Sequence, residues 1–425
     1  MKIVILDGRN QESNPEWRKY MTSLVKTLEN RRHQVRHFIL ADQKIHHCTG
    51  CFSCWVKTPG ECIFDDDSRE INRATINSDF VLWAAPLVMG FPSFQLKRVM
   101  DRTIPLIHPY FAVVNGEAHH RSRYEKYPLF GLLFQPEKAD NDRSITVVKQ
   151  LFARTALNIK SRLSFAESND VAVEELVQRI EKSRQTTFQI SSVFHDKPFK
   201  TIEPPKRLVV FNGSPRGRTG NTPILLNQLI EGFGTKAGNS SAVHHLHQTS
   251  KMRTFKEAFE NAECVMLGFP LYTDGMPGIV KEFIEAIGSM RLLKPVPIGF
   301  LVQSGFPEAL HSRYVEQYLM VLADRLKSPY LGTIVRGGCE GVRLMPEKMN
   351  RKLFNGLNEL GSQLADEGRF VKEKIQKHAG LERISPLLVP AFKLATMTPL
   401  LNVYWNMQLK ENGAFETRFA KPYIP

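Results

Sequence analysis

Apolar residues in this chain gather into short unbroken runs, and the stretches between them carry apolar positions at helical spacing. Lys2-Ile3-Val4-Ile5-Leu6 predicts a first strand, followed by a loop over residues 7–15, a helix over 16–31 and a second strand over 34–39. Phe80-Val81-Leu82-Trp83-Ala84-Ala85, stopped by Pro86, predicts a third strand; a helix begins near Ser93 and residues 129–134 form another buried strand. The same order then returns, with strands at 208–211, 264–269, 298–302 and 332–335 and a helix at 222–232. Strands buried on both faces read as continuous apolar runs, whereas one-sided sheets alternate. The predicted fold class is therefore α/β: two doubly wound parallel-sheet domains in tandem, followed by a C-terminal helical arm.

The repeat extends to punctuation. Asp7-Gly8 corresponds to Asn212-Gly213, and Pro86, Leu87, Gly90, Pro92 and Lys97 to Pro270, Leu271, Gly275, Pro277 and Lys281. Gly8 to Pro86 spans 78 residues and Gly213 to Pro270 spans 57; the extra 21 approximate a cysteine-bearing stretch at 46–66. The expected organisation is a first domain at 1–194, a linker at 195–205 marked by Pro198, Pro204 and Pro205, a second domain at 206–382 and an arm at 383–425.

Composition narrows the class. The chain has 425 residues, 42% of them apolar, enough for two ordinary cores. Its net charge of +14 favours polyanionic partners in general, but the Lys and Arg residues are scattered and no nucleic-acid-binding motif accompanies them. No nucleic-acid partner is expected. Residues 384–405 are mostly apolar but contain Lys393 and the breakers Pro386, Pro390 and Pro399, so the arm is expected to pack on the body rather than to span a membrane, with peripheral membrane contact the alternative. No signal peptide is evident before the first strand, and six cysteines, four of them close together, do not form a secreted disulfide framework; a cytoplasmic location is expected.

Candidate chemistry sits in different places in the two halves. The second half carries Asn212-Gly213-Ser214-Pro215-Arg216-Gly217-Arg218-Thr219-Gly220-Asn221-Thr222 between a strand and a helix N-terminus. Glycines allow close approach, the helix end offers unpaired N–H groups, and Ser214, Thr219, Asn221, Thr222 and Arg216 add donors, so the loop suits a phosphate. Gly213-Ser214-Pro215-Arg216 with Gly220-Asn221-Thr222 resembles the FMN phosphate loop of the NAD(P)H-dependent FMN reductase family, of the flavodoxin-like superfamily. Pro270-Leu271-Tyr272-Thr273-Asp274-Gly275-Met276-Pro277 resembles that family's second flavin loop, and Ser304-Gly305-Phe306 its third. The resemblance implies FMN in the second half, with Tyr272 and Met276 touching the ring and Tyr272 and Phe306 shaping the face where nicotinamide stacks. In the first half the corresponding loop holds Asp7 and Glu12, which would repel a phosphate, and that half is expected to lack FMN.

The first half instead carries Cys48, Cys51, Cys54 and Cys62. Four closely spaced thiolates can close around a soft-metal centre. The segment, with Pro59-Gly60 before Cys62 and Asp65-Asp66-Asp67 after it, resembles the compact cysteine motif of iron–sulfur flavoproteins, which implies a [4Fe–4S] cluster. Zinc, or free or disulfide-forming thiols, are the alternatives. His46 and His47 are the neighbouring imidazoles; Cys264 is expected in the core, and Cys339 in a loop near the flavin edge or simply in a loop.

The resulting expectation is an oxidoreductase that takes hydride from NAD(P)H onto FMN and passes electrons to a small acceptor, a quinone or an iron–sulfur centre, with no catalytic side chain named. An FMN electron carrier or a cysteine-based redox sensor without turnover is the alternative. The two halves are expected to pair internally, and the chain to form a homo-oligomer as a further option.

Overall fold

The computed structural model describes residues 1–10, 14–191, 193–398 and 400–424; Glu12 and Pro399 lie outside them. The chain forms two compact units, the first from Met1–Ser192 with Ser385–Pro425 and the second from Val193–Ile384.

Unit 1 runs β1 (Lys2–Asp7), α1 (Pro15–Asn30), β2 (Gln34–Ile39), α2 (Ser53–Val56), α3 (Ser68–Ile76), β3 (Phe80–Val88), β4 (Phe91–Pro92), α4 (Phe94–Asp101), β5 (Ile107–Val114), β6 (Glu117–Ser122), β7 (Leu129–Gln135), α5 (Asp142–Asn158), β8 (Leu163–Ser168) and α6 (Val173–Glu181). Its main sheet has the order β2-β1-β3-β7-β8, all parallel, with β4 folded back on β3. Ile3, Ile5, Phe80, Leu82 and Leu133 from the strands pack on Trp17, Met21, Leu24 and Leu28 of α1 and on Leu176, Val177 and Ile180 of α6.

Unit 2 runs β9 (Arg207–Asn212), α7 (Asn221–Phe233), β10 (Ser240–His245), α8 (Met252–Glu260), β11 (Cys264–Pro270), α9 (Gly278–Gly288), β12 (Ile298–Gln303), α10 (Leu310–Arg325), β13 (Tyr330–Arg336), α11 (Glu347–Glu367) and α12 (Lys372–His378). Its parallel sheet has the order β10-β9-β11-β12-β13. Cys264 is fully buried among Leu208, Val210, Leu229, Met266 and Leu360, a core residue as its apolar strand predicts. Each unit thus shows the 2-1-3-4-5 order of flavodoxin-like folds, in which ligands sit outside the carboxyl ends of the strands.

The two units also share local detail. Gly8 N donates to Ala84 O at 2.7 Å, and Gly213 N donates to Gly268 O at 2.7 Å. A Cβ on Gly8 would meet Leu96 Cβ at 2.8 Å, and one on Gly213 would meet Val280 Cγ2 at 2.4 Å, so both turns need glycine because α4 and α9, the helices after the third strand of each unit, press on them. Lys97 and Lys281 are both fully buried and pair one helical turn on with Asp101 and Glu285. Pro86, Leu87 and Lys97 fall in register with Pro270, Leu271 and Lys281, but the glycine and proline matches do not. The two-residue turns are Met89-Gly90 and Thr273-Asp274, so Gly90 stands opposite Asp274 rather than Gly275.

Unit 1 carries three additions: the cysteine stretch between β2 and α3, the β5–β6 hairpin, and the arm. The hairpin escapes the strand pattern because its polar stretch Glu117-Ala118-His119-His120-Arg121 breaks the apolar run. The arm, with α13 (Val389–Met397) and α14 (Val403–Glu411), returns to unit 1. The stretch at 195–205 runs along unit 2, with Lys200 N on Tyr330 O at 2.8 Å and Ile202 N on Gly368 O at 3.0 Å. Among the described residues, no helix is long and apolar enough to cross a membrane.

Candidate functional site

In unit 2, four loops meet at the carboxyl ends of β9, β11, β12 and β13. The first is organised by Asn212, which is fully buried. Its Oδ1 accepts from Ser214 N at 3.0 Å, and its Nδ2 donates to Gly217 O and His245 Nδ1, both at 2.9 Å. The loop ends at Gly220, which caps α7 without any side-chain hydrogen bond, and the first turn of α7 holds no acidic residue. A Cβ on Gly220 would lie 2.3 Å from Ser214 Oγ, so a side chain there would displace that hydroxyl. The open helix N-terminus, the glycine cradle and the adjoining Ser214, Asn221 and Thr222 fit the phosphate of FMN.

The other loops brace this one. Gln303 Nε2 donates to the buried Thr222 Oγ1 at 3.2 Å. Asn221 Nδ2 donates to Glu340 O at 3.3 Å, and its Oδ1 accepts from Arg343 N at 3.2 Å. Arg216 Nη2 stands 3.6 Å from Glu340 Oε1, while Thr219 is exposed and donates its hydroxyl to Arg216 O at 3.0 Å. Burial pushes the Glu340 carboxyl above its usual range, against the pull of Arg216 and Arg343. The sequence named neither Asn212 nor Glu340 as a site residue, although Asn212 opens the glycine-rich loop and is the counterpart of Asp7.

Pro270, the last residue of β11, is buried, and Leu271 N donates to Gln303 O at 2.7 Å. Tyr272 and Gly275 exchange backbone hydrogen bonds at 2.9 Å each way around Thr273 (φ 41°) and Asp274 (φ 57°), a tight turn in the left-handed region. Tyr272 and Thr273 remain half-exposed and Asp274 is buried. Met276, expected at the ring, is wholly enclosed by protein as the chain turns into α9. In the third loop, Ser304 N donates to Arg336 O at 3.0 Å and Gly305 is exposed. Phe306 stacks on His311 with ring centroids 4.1 Å apart and 14° between planes. Cys339 is fully buried, and burial pushes its thiol up to about 12, so it is a packing residue beneath the loop.

Among the described residues, unit 1 differs from unit 2 at the matching places. Asp7 is fully buried, and its carboxylate accepts from Arg9 N at 3.1 Å, Trp17 Nε1 at 3.0 Å and His37 Nε2 at 3.1 Å, so its charge is held inside the fold rather than presented to a ligand. Asn14 caps α1 by accepting from Glu16 N at 2.9 Å, and Pro15 and Glu16 fill the first turn. Pro136 stands where unit 2 has Ser304, and Glu137 Oε2 accepts from Gly90 N at 3.0 Å. The first turn of α1 and Gly90 N are thus both bonded by the chain's own side chains.

The cysteine stretch wraps α2. Trp55 Nε1 donates to Ile104 O at 3.1 Å and to Ile107 O at 3.0 Å, and the Trp55 and Trp405 rings meet edge to face. Trp405, Leu409 and Ala414 of the arm pack on Trp55, Val56 and Tyr110, beside Cys54. Arg123 Nη1 donates to Arg418 O at 3.1 Å and Ala420 O at 2.9 Å, fastening the arm. All six cysteines are free; Cys51 is exposed, while Cys48, Cys54 and Cys62 are half-buried. Burial pushes Cys48 up to about 12 and Cys54 well above its usual value, where the charges of Cys48, Cys62 and Cys51 add to the effect. Cys51 is lowered: burial opposes this, but hydrogen bonds from Ser53 and Thr49 outweigh it.

Two buried arginines face these thiols. Arg102 Nη2 donates to Cys62 Sγ at 3.2 Å, and the charge of Arg123 favours the thiolate of Cys54. Arg102 Nε is buried and has no hydrogen-bond acceptor among the described residues. His46 is drawn away to Asp66, Nδ1 to Oδ2 at 3.2 Å. No three His, Cys, Asp or Glu side chains among the described residues are close enough to hold a single ion. Cys48, Cys51 and Cys62 each bear on the charge of Cys54, so the four thiols share one neighbourhood, and four thiolates are the donor set of a thiolate-ligated cluster, which is larger than a single ion and keeps its ligands farther apart.

The sequence model of the NADPH-dependent FMN reductase family matches residues 206–335, within unit 2. An iron-sulfur flavoprotein of Archaeoglobus fulgidus is 36% identical over 90 residues, 21% of this chain and 40% of that protein. An iron-sulfur flavoprotein of Methanosarcina thermophila is 26% identical over 115 residues, 27% of this chain and 59% of that one. The matches thus span less than two thirds of the curated relatives' length. Among solved structures, the NAD(P)H:quinone oxidoreductase of Methanothermobacter marburgensis aligns with a TM-score of 0.31 and 13% identity, over 38% of this chain and 99% of its own.

Proposed function

We propose that the chain is a flavin-dependent NAD(P)H oxidoreductase. Unit 2 holds one FMN, and electrons leave it for a small acceptor of quinone type or for a [4Fe–4S] cluster on Cys48, Cys51, Cys54 and Cys62. The observation that carries the flavin reading is the α7 N-terminus, which no side chain caps, set against its self-capped counterpart α1. The family match over residues 206–335 supports the same assignment.

In this reading Ser214, Arg216, Thr219, Gly220, Asn221 and Thr222 hold the phosphate. Leu271, Tyr272 and Thr273, with Ser304, Gly305 and Phe306, would hold the ring. FMN held there would supply acceptance of hydride from reduced nicotinamide, with the protein's loops orienting it. Phe306, fixed against His311, and Tyr272 shape the face open to the nicotinamide. Gln303 keeps the phosphate and ring loops in one register through Thr222. For the cysteines, the unmatched Arg102 Nε and the iron-sulfur flavoprotein relatives support the cluster. Six free cysteines suit a thiol-reducing compartment such as the cytoplasm.

Anaerobic mixing of the FMN-loaded full chain with NADPH or NADH, followed by flavin absorbance, tests the reading. Rapid bleaching with at least one nucleotide is expected. Bound FMN that neither nucleotide reduces would leave an electron carrier and overturn the oxidoreductase.

A further inference from the structure

We propose that Arg102 is a positioning residue that staples the cysteine stretch and sets the reduction potential of the centre held there, an inference that rests on the cluster reading above. Arg102 caps the C-terminus of α4, and its side chain is 2% exposed. Nη1 donates to His46 O at 2.7 Å and to Asp66 Oδ2 at 2.9 Å; Nη2 donates to Asp66 Oδ1 at 3.1 Å and to Cys62 Sγ at 3.2 Å. His46 and Asp66 bound the cysteine stretch on its two sides, so one guanidinium fixes both ends of the segment that carries all four thiols.

The guanidinium is itself fixed. Asp66 accepts from Ser68 Oγ at 2.6 Å, Ser68 N at 3.1 Å and His46 N at 3.0 Å, which leaves its carboxylate no other orientation. The second cation, Arg123, has its donors on Pro105 O, Ile107 O, Arg418 O and Ala420 O, which among the described residues leaves Arg102 as the arginine with a hydrogen bond to a cysteine sulfur. Reduction of a thiolate-ligated cluster by one electron adds a negative charge. A fixed cation that also donates N–H to sulfur stabilises that added charge, and an arginine does not lose its proton on burial. Arg102 therefore raises the potential.

The test is anaerobic purification of the full chain and of Arg102→Gln and Arg102→Lys. Iron and sulfide are measured per chain, and the midpoint is then read by electron paramagnetic resonance during a dithionite titration. The wild type is expected to carry about four iron and four sulfide per chain. Arg102→Gln shifts the midpoint to lower potential, and Arg102→Lys, which keeps the charge but not the fork, shifts it less. If Arg102→Gln fails to retain iron, Arg102→Lys alone decides. Full iron with an unchanged midpoint in the iron-bearing variants overturns the role of Arg102 and leaves the cluster standing. A wild type without iron and sulfide overturns both.

Discussion

Arg216 Nη2 lies 3.6 Å from Glu340 Oε1, so a carboxylate stands beside the loop that fits a phosphate. Burial raises the Glu340 pKa, and Arg216 and Arg343 oppose that rise without cancelling it. A carboxyl with a raised folded pKa favours the fold in its protonated form; that contribution is present at low pH and is lost as pH rises through the raised value. An arriving phosphate adds like charge, so FMN should bind more tightly as pH falls through the Glu340 titration. Glu340→Gln should tighten FMN at neutral pH by on the order of tenfold, about 1.4 kcal/mol, and flatten the pH dependence. Flavin fluorescence quenching across pH measures both.

The paired turns at Gly8 and Gly213 give a stability prediction. A methyl at Gly213 would lie 2.4 Å from Val280 Cγ2 and 3.0 Å from Phe269 Cβ; at Gly8 it would lie 2.8 Å from Leu96 Cβ and 3.0 Å from Ala85 Cβ. Each Gly→Ala change should cost about 1–3 kcal/mol by overpacking. Denaturant unfolding should place each loss in the transition of its own unit.

The arm should protect the cysteines. Leu409 is 1% exposed in the cluster that flanks Cys54. Leu409→Ala should cost about 2–5 kcal/mol locally. In metal-free protein, alkylation near neutral pH should begin at Cys51, which is exposed with a lowered pKa, while Cys48 and Cys54 react slowly because their thiols are raised. Leu409→Ala should speed labelling of Cys54 and leave Cys51 unchanged, as read by peptide mass spectrometry.

Much of the fold can be read from the chain because parallel strands are continuous apolar runs. The run beginning at Phe80 and the run from Cys264 to Pro270 each form a central strand. The β5–β6 hairpin could not be read this way, since His119 and His120 look like surface positions, yet His119 is fully buried with Nδ1 2.6 Å from Asn158 Oδ1. The strand-to-helix loop after β9 was legible because glycine, hydroxyl and helix-start signals fall within one stretch. The arginines beside the cysteines were not: Arg102 lies 40 residues beyond Cys62, and only folding brings them together. The same holds for Trp405 on Trp55, a contact between the arm and the cysteine stretch that no local spacing announces.

The central claim is that one flavin binds, and that it binds in unit 2. The direct measurement is FMN stoichiometry by calorimetric titration of the full chain, of Gly220→Val, whose side chain would fill the cradle beside Ser214 Oγ, and of Asn14→Ala in the matching place of unit 1, with folding checked by circular dichroism. The account predicts one FMN per chain in the wild type, one in Asn14→Ala and none in Gly220→Val. Two per chain, none in the wild type, or a loss that follows Asn14 rather than Gly220 would contradict it.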